Sequence, residues 1–453
     1  MELNEHIFRA NDIRGVSYRD LTEEVIYKLG KSLGSEAQDR GINEFIIGRD
    51  GRLSSPDMFE WLSSGVISTG CGVIDIGIVT SPMFYHSTFW LNSSSGVVIT
   101  GSHNPGEYNG FKIVFNNQST SSDEILLLKK RMLNNDFKDG SGMIKGEAIE
   151  ESYINKIVEN INLEKKLNIS IDCGNGAAGV VAKKVYEKLG CNVVELFGEL
   201  DGSFPNHHPD PSRIENMQDL IDSVKINDSS IGLAFDGDAD RLGVISPDGE
   251  MIYPDRQMIL FARQVIQSSP NAKVVFDVKC SKLLSDEILK LGGEPLICKT
   301  GHTFIKQKIR QTGAQIGGEM SGHIFFNDRW PGYDDGIYAG ARMLEIVAAS
   351  ENNIFINIPN MVSTPEINIP ADDDKKFKIV DEFIENSKFT EANIVDIDGI
   401  RVEFKKGWGL LRASNTSPVL VLRFEAETKE TLEDIKNIFY RNLKKVYPEV
   451  RNF

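Results

Sequence analysis

Asp236, Asp238 and Asp240 alternate with small residues in LAFDGDADRLGVI (233–245), directly after an apolar run that reads as a strand. Three carboxylates that close repel one another unless a hard cation sits between them, and Mg2+ prefers such oxygen ligands. The pattern points to a catalytic divalent metal. An acidic surface turn or a calcium loop are the other readings. An EF-hand would need a Glu closing its loop and a helix before it, and this stretch has neither. The triad is expected in a loop exposed in a cleft.

Other stretches offer polar groups with partial signatures. ITGSHNP (99–105) sets Ser102 beside His103 in a run of turn-forming residues. Adjacent side chains usually diverge, so the seven residues alone read as a turn and not as a nucleophile with its base. LLRASNTSPVLVL (410–422) offers a guanidinium, two hydroxyls and an amide from Arg412, Ser414, Asn415 and Thr416 in a loop between strands. That set suits a phosphate, which arginine binds with two prongs, and a polar hairpin is an equal reading. Glu319, Ser321 and His323 in GGEMSGHIFF (317–326) could grip sugar hydroxyls or merely make a polar loop. Gly174-x-Gly176-x-x-Gly179 follows a strand, with Glu195 near the spacing of a dinucleotide fingerprint. Glycines at such turns also arise from packing. His207-His208 in a proline-rich loop reads as a loop feature, since neighbouring histidines rarely share a metal. Asp236-x-Asp238 matches the paired Asp of haloacid-dehalogenase phosphatases, but that motif wants Thr or Val where Asp240 stands.

The elements that must position these groups alternate short β-branched runs with helical stretches, the pattern of α/β layers. FIIGRDGR (45–52), ISIDCGNG (169–176) and VVFDVKCS (274–281) each run an apolar strand into an Asp-containing turn with a helix behind it. After the first, Ser55 is placed to cap a helix with Pro56 at its first position. One α/β unit used three times is expected. IVDIDGIRVEF, GWGLLRA and VLVLRFEAE then read as successive strands before a closing amphipathic helix, an α+β domain with a mainly antiparallel sheet. Boundaries fall near 147, 250 and 365. The expected domains are 1–147 with the Ser102 loop, 148–250 with the aspartate triad, 251–365 with the Glu319 loop, and 366–453 with the Arg412 loop.

The chain has 453 residues, too many for one ordinary core, so about two to four domains are expected. Hydrophobic residues make up 40 % and charged residues 26 %, as in soluble globular proteins. A formal charge of −16 argues against a nucleic-acid or anionic-membrane surface, so an anionic ligand would need local Lys and Arg. The start lacks the basic and then apolar run of a signal peptide, and no apolar run is long enough to span a bilayer. Five scattered cysteines without a CxxC pair suit reduced thiols in a cytoplasmic enzyme.

Taken in order, NDIRG, TGSHNP, DGDADR, TGH, GEMSGH with DRWPGYDDGIYA, and RASNTSP resemble the α-D-phosphohexomutase family in its bacterial phosphomannomutase/phosphoglucomutase branch, over essentially the whole chain. The resemblance implies three similar α/β domains plus a C-terminal α+β domain around a central active-site cleft. It implies reversible interconversion of hexose 1-phosphate and hexose 6-phosphate, of mannose and/or glucose, through a phosphoserine and a 1,6-bisphosphate. Ser102 then matches the phosphoserine, and His103 supports its loop or the phosphate. Asp236, Asp238 and Asp240 hold Mg2+ together with that phosphate. A phosphoserine carries about −2, so the local charge reaches about −5 and a dication leaves about −3. The resemblance supplies Arg14, Lys112, Arg241 and Lys279 as further positive groups, and it places His302 and Lys112 where the sugar hydroxyl's proton moves. Thr300, Gly301, Glu319, Met320, Ser321, Gly322 and His323 match sugar-binding positions. Arg412, Ser414, Asn415 and Thr416 match the holder of the non-reacting phosphate. Glucose 1,6-bisphosphate, or mannose 1,6-bisphosphate, is the implied activator, sugar phosphates are the implied partners, and a monomer or weak dimer is expected. The family often has Tyr where this chain has Asn11, a departure from its pattern at that position. The rivals are a phosphoglucosamine mutase, which usually has Gln in place of Met320, a metal-dependent sugar phosphatase and an NAD-dependent oxidoreductase.

Overall fold

The computed structural model describes residues 4–9, 12–414 and 417–453. The chain packs as two compact units, Met1–Pro254 with Ser321–Ile356, and Asp255–Met320 with Asn357–Phe453.

The first unit holds two sheets. In one, strands Ile13–Val16, Tyr108–Phe115, Gly96–Ile99, Glu44–Arg49, Gly72–Ile78 and Ile144–Gly146 lie side by side in that order. The last four run parallel, and Tyr108–Phe115 is antiparallel to both its neighbours. Continuous burial along Gly96–Ile99 suits a strand covered on both faces. Helices Glu23–Asp39 and Ser55–Ile67 close one face, burying Ile26, Leu29, Leu33, Met58, Leu62 and Val66 against Phe45 and Ile47. The second helix begins one residue earlier than a Ser55 cap requires. Ser54 holds the cap position, and the Ser55 hydroxyl donates to Asp50 instead. The other sheet orders Met251–Ile252, Leu242–Ile245, Ile231–Phe235, Asn168–Asp172 and Asn192–Leu196.

In the second unit, Lys273–Asp277 runs parallel to both Glu294–Cys298 and Ile316–Gly318. The antiparallel strands Asn393–Val395, Ile400–Phe404, Gly407–Ala413 and Val419–Ala426 follow, backed by helices Asp373–Asn386 and Lys429–Val446. Phe383, Phe424 and Phe439 fill that core.

The recurring Asp turn proves to be one local device. Asp50, Asp172 and Asp277 each end a parallel strand or follow it directly, and each Oδ1 accepts the backbone N–H two residues on, from Arg52, Gly174 and Lys279. This Asx turn lets the side chain stand in for a backbone acceptor as the chain leaves the sheet.

Candidate active site

The buried strand Gly96–Ile99 runs into the Ser102 turn, and the chain returns as Tyr108–Phe115. The Ser102 N–H donates to Thr100 Oγ1 at 2.9 Å, and Ser102 takes a left-handed φ of 50°. An L-residue there gives up its preferred backbone region, and surrounding contacts must hold it in place. The Ser102 hydroxyl donates to Asp236 Oδ2 at 3.0 Å, and His103 Nδ1 lies 3.1 Å from Ser102 Oγ. The expected divergence of these neighbours does not occur, because the left-handed turn swings both side chains to one side. With the hydroxyl proton directed at Asp236, the hydrogen between Ser102 and His103 belongs to the imidazole. Burial, together with Arg241 and Arg14, holds the His103 pKa well below its ordinary value, so the ring is neutral.

Asp236, Asp238 and Asp240 follow strand Ile231–Phe235 and are 0 % exposed, with carboxylate oxygens within 4.8 Å of one another. The expectation of an exposed loop is therefore overturned. Distant segments grip the loop's backbone: Ser81 N–H donates to Asp238 O, Ala177 N–H to Gly237 O and Gly336 N–H to Ala239 O. A Cβ on Gly237 would stand 2.4 Å from Ser102 O, so only glycine allows the serine turn to come this close. Lys112 Nζ reaches Asp238 Oδ2 and Asp240 Oδ2, each at 2.5 Å, and Ser81 Oγ also donates to Asp238 Oδ2.

The charges do not balance. Arg241, 3.7 Å from Asp236 and 4.0 Å from Asp210, brings a second cation to the triad. Burial, Asp240 and Asp238 push the Asp236 pKa well up. Burial opposes the charge on Asp240 too, but Lys112 and His323 overcome it and hold that group low. Lys112 is likewise held strongly protonated by Asp238 and Asp240 against its burial. Removing ions from water costs several kcal/mol each even after relaxation. Asp238 Oδ1 has no hydrogen-bond partner among the described residues. An all-oxygen donor set with an orphaned carboxylate oxygen fits a hard divalent cation.

Ser321 and His323 lie against this centre. His323 Nε2 is 3.2 Å from Asp240 Oδ1 and 3.9 Å from Asp334 Oδ2, and its Nδ1 is 2.9 Å from Ser321 Oγ. Between them Gly322, at φ 99°, accepts the Leu242 N–H through its carbonyl. His323 thus orients an aspartate of the triad, a geometry that its place in a polar loop did not indicate. Arg14 donates to Asn104 Oδ1 at 3.0 Å and pairs with Asp12 at 2.6 Å, which ties it to the serine turn.

The second unit gathers another set. Lys279 Nζ pairs with Glu366 at 3.1 Å, and Glu366 and Asp277 hold Lys279 protonated against its burial. Arg401 donates to the carbonyls of Val278 and Cys280 at 2.8 and 2.6 Å, and Arg423 donates to that of Lys279. Arg401 lies over the Trp408 ring at 3.9 Å from its centroid. Arg412 belongs to strand Gly407–Ala413 and not to the loop expected, and its Nε donates to Asp398 Oδ2 at 2.9 Å. The same Asp398 oxygen accepts Thr300 N–H at 3.1 Å, and Glu319 Oε1 accepts Gly301 N–H at 2.5 Å. Gly301 has φ 134° and precedes helix His302–Thr312, which places His302 on its first turn. Met320 directly follows Glu319, and Ser414 Oγ accepts Ser417 N–H. Asn11, Asn415 and Thr416 lie outside the described residues.

Comparison with known proteins agrees along the whole chain. Models of phosphoglucomutase/phosphomannomutase alpha/beta/alpha domains I, II and III match residues 5–139, 151–249 and 253–357, and the model of the C-terminal domain matches 366–441. A Pseudomonas putida phosphomannomutase/phosphoglucomutase is 48 % identical over 452 residues, which span 99 % of this chain and 98 % of the relative. The chain belongs to the phosphoglucomutase/phosphomannomutase family. A Neisseria gonorrhoeae phosphoglucomutase is 48 % identical over 439 residues, 96 % of this chain and 95 % of the relative. The crystal structure of a phosphoglucomutase/phosphomannomutase family protein from Burkholderia thailandensis superposes with a TM-score of 0.96 at 44 % identity, covering 100 % of both chains.

In this family member the dinucleotide-like glycines serve packing. A Cβ on Gly176 would stand 2.8 Å from Gly237 O, and one on Gly179 would stand 2.0 Å from Gly198 O, so backbone fills the space a pyrophosphate would need. His207 pairs with Asp172 at 2.9 Å. Sequence reasoning missed Ser81, Asp334, Asp398 and Arg52, whose partners lie far along the chain. The DD pair in DRWPGYDDG was the visible trace of Asp334.

Proposed function

We propose that this protein interconverts hexose 1-phosphates and hexose 6-phosphates of glucose and mannose, with Ser102 as the phosphoryl carrier. The observation that carries the reading is Ser102 Oγ, 3.0 Å from a carboxylate of a buried aspartate triad, in a chain closely similar to named mutases. Phosphoryl on Ser102 passes to the free hydroxyl of a bound hexose phosphate. The bond from phosphorus to Ser102 Oγ breaks as the bond to the sugar oxygen forms, which gives a 1,6-bisphosphate. The bisphosphate turns around, and its other phosphoryl returns to Ser102. Such transfers depend on positioning and charge neutralisation more than on covalent chemistry. Mg2+ held by Asp236, Asp238, Asp240 and the Ser102 phosphate would draw charge from the phosphoryl oxygens. Arg241 and Arg14 add fixed positive charge at the serine end. His302, whose imidazole can both accept and give up a proton, is assigned the sugar hydroxyl's proton. Lys112, locked as an ammonium between two carboxylates, is assigned to counter-charge and not to base catalysis. Neutral His103 supports Ser102. Thr300, Gly301, Glu319, Met320, Ser321 and Gly322 are assigned to the sugar. Lys279, Arg412, Ser414, Asn415 and Thr416 are assigned to the phosphate that is not reacting.

The test is glucose 1-phosphate with Mg2+ and catalytic glucose 1,6-bisphosphate, read through glucose-6-phosphate dehydrogenase, alongside intact-mass measurement. Turnover is expected, with a single-phosphate increment that maps to Ser102 and vanishes in Ser102→Ala. Absence of turnover, or full activity in Ser102→Ala, overturns the reading.

A further inference from the structure

Arg52 follows strand Glu44–Arg49 in GRDGR, and its side chain is 1 % exposed. Its guanidinium takes four backbone carbonyls of the serine turn. Nη2 donates to Ser102 O at 2.7 Å and Asn104 O at 2.6 Å, and Nη1 donates to Pro105 O at 2.7 Å and Tyr108 O at 2.9 Å. Nε, the remaining donor, faces Asp50 Oδ2 at 3.2 Å. Asp50 in turn accepts the Gly101 N–H at 3.3 Å, so the same ion pair holds the turn by both a carbonyl and an amide. A Cβ on Gly101 would stand 2.5 Å from Arg52 Cζ, and only glycine leaves room for the guanidinium there. The Phe204 ring covers it at 5.1 Å. Ser102 O is therefore fixed by Arg52 on one side and by the close backbone of Gly237 on the other. A planar fork with five N–H groups can serve converging carbonyls in this way, and a tetrahedral ammonium with three cannot.

We infer that Arg52 is a positioning residue for phosphoryl transfer, holding Ser102 in its left-handed conformation so that Oγ stays aimed at the aspartate triad. It does so through the backbone and touches neither the triad's carboxylates nor the Ser102 hydroxyl in the contacts described. The role presupposes the phosphoserine mutase reading above. Its signature is a loss in the transfer step with substrate binding left intact, because the groups assigned to sugar and distal phosphate are other residues.

The test compares wild type, Arg52→Met and Arg52→Lys. Each is incubated at length with excess glucose 1,6-bisphosphate, and the fraction of phosphorylated Ser102 is counted by intact mass. kcat is then expressed per competent site, and KM for glucose 1-phosphate is measured beside it. Arg52→Met is expected to lose about a hundredfold in kcat per competent site, the scale of an ångström's misplacement, with KM little changed. Arg52→Lys should recover part of the loss. A merely structural role would lower the competent fraction and leave kcat per site at the wild-type value, and that result overturns the inference. A rise in KM alone overturns it too. If Arg52→Met does not fold, Arg52→Lys decides: reduced kcat per site at unchanged KM supports the role, and wild-type kcat removes it. A wild-type protein without turnover sinks the mutase reading itself and this role with it.

Discussion

Asp238 receives the Ser81 hydroxyl and the Lys112 ammonium on one oxygen, while Oδ1 has no hydrogen-bond partner among the described residues. An oxygen in that position is the place to test for a cation. Asp238→Asn keeps the shape and removes one charge, and Lys112 retains Asp240 as a partner. Turnover should fall by about a hundredfold, the scale for deleting one preorganised charge-stabilising group, and more Mg2+ should be needed for half-maximal rate. A rate profile against Mg2+ matching wild type would mean that the carboxylate is not a ligand. The triad was legible in the sequence because aspartates alternating after an apolar strand have few other reasons to occur. Its burial was not legible. The groups that seal it, Ser81, Ala177 and Gly336, come from segments far apart in the chain, and each is an ordinary small residue with no local mark of its role.

The three strand-to-turn units show the same division at the level of elements. Apolar strands ending in Asp were visible, and the shared Asx turn follows from the side chain alone. What each turn then grips depends on its second carboxylate oxygen, which tertiary packing selects: Arg52 for Asp50 and His207 for Asp172. Arg412 reads as a loop residue beside Ser414 and Asn415, but hydrogen bonding across strand Gly407–Ala413 claims it. The His207–Asp172 pair yields a pH dependence. The hydrogen bond to Asp172 leads the causes that raise the His207 pKa above its ordinary 6.5, with burial opposing and the His208 carbonyl and Asp219 adding to the rise. A raised folded-state pKa means that the pair's stabilisation is complete below the unfolded value of 6.5 and is lost as pH climbs through the folded value. The melting temperature of wild type should therefore exceed that of His207→Gln most below pH 6.5, with the gap narrowing above it. A gap that widens as pH rises would show that His207 is held neutral by its surroundings.

For the molecule as a whole, a formal charge of −16 must coexist with anionic substrates, so recognition has to rest on the local cations and on the sugar. In a reaction that turns its intermediate around, the sugar site must accept the ring with either C1 or C6 facing Ser102. The 3- and 4-hydroxyls roughly exchange places on that turn, and they are the groups assigned to Glu319 and Ser321. Mannose and glucose share both hydroxyls and differ only in configuration at C2. Strong rejection of an epimer needs a buried polar group that the wrong sugar leaves unpaired, whereas small pocket differences are worth about 1–3 kcal/mol. With recognition resting on O3 and O4, the specificity constants for mannose 1-phosphate and glucose 1-phosphate should lie within about a hundredfold of each other. Glu319→Ala should depress both together, since it removes a contact common to the two sugars and releases the Gly301 N–H. The measurement is kcat/KM for each sugar in wild type and variant. A preference beyond about ten-thousandfold, or loss of one activity alone in Glu319→Ala, would require a group aimed at C2 and would end the reading of this site as one built on the hydroxyls the two sugars share.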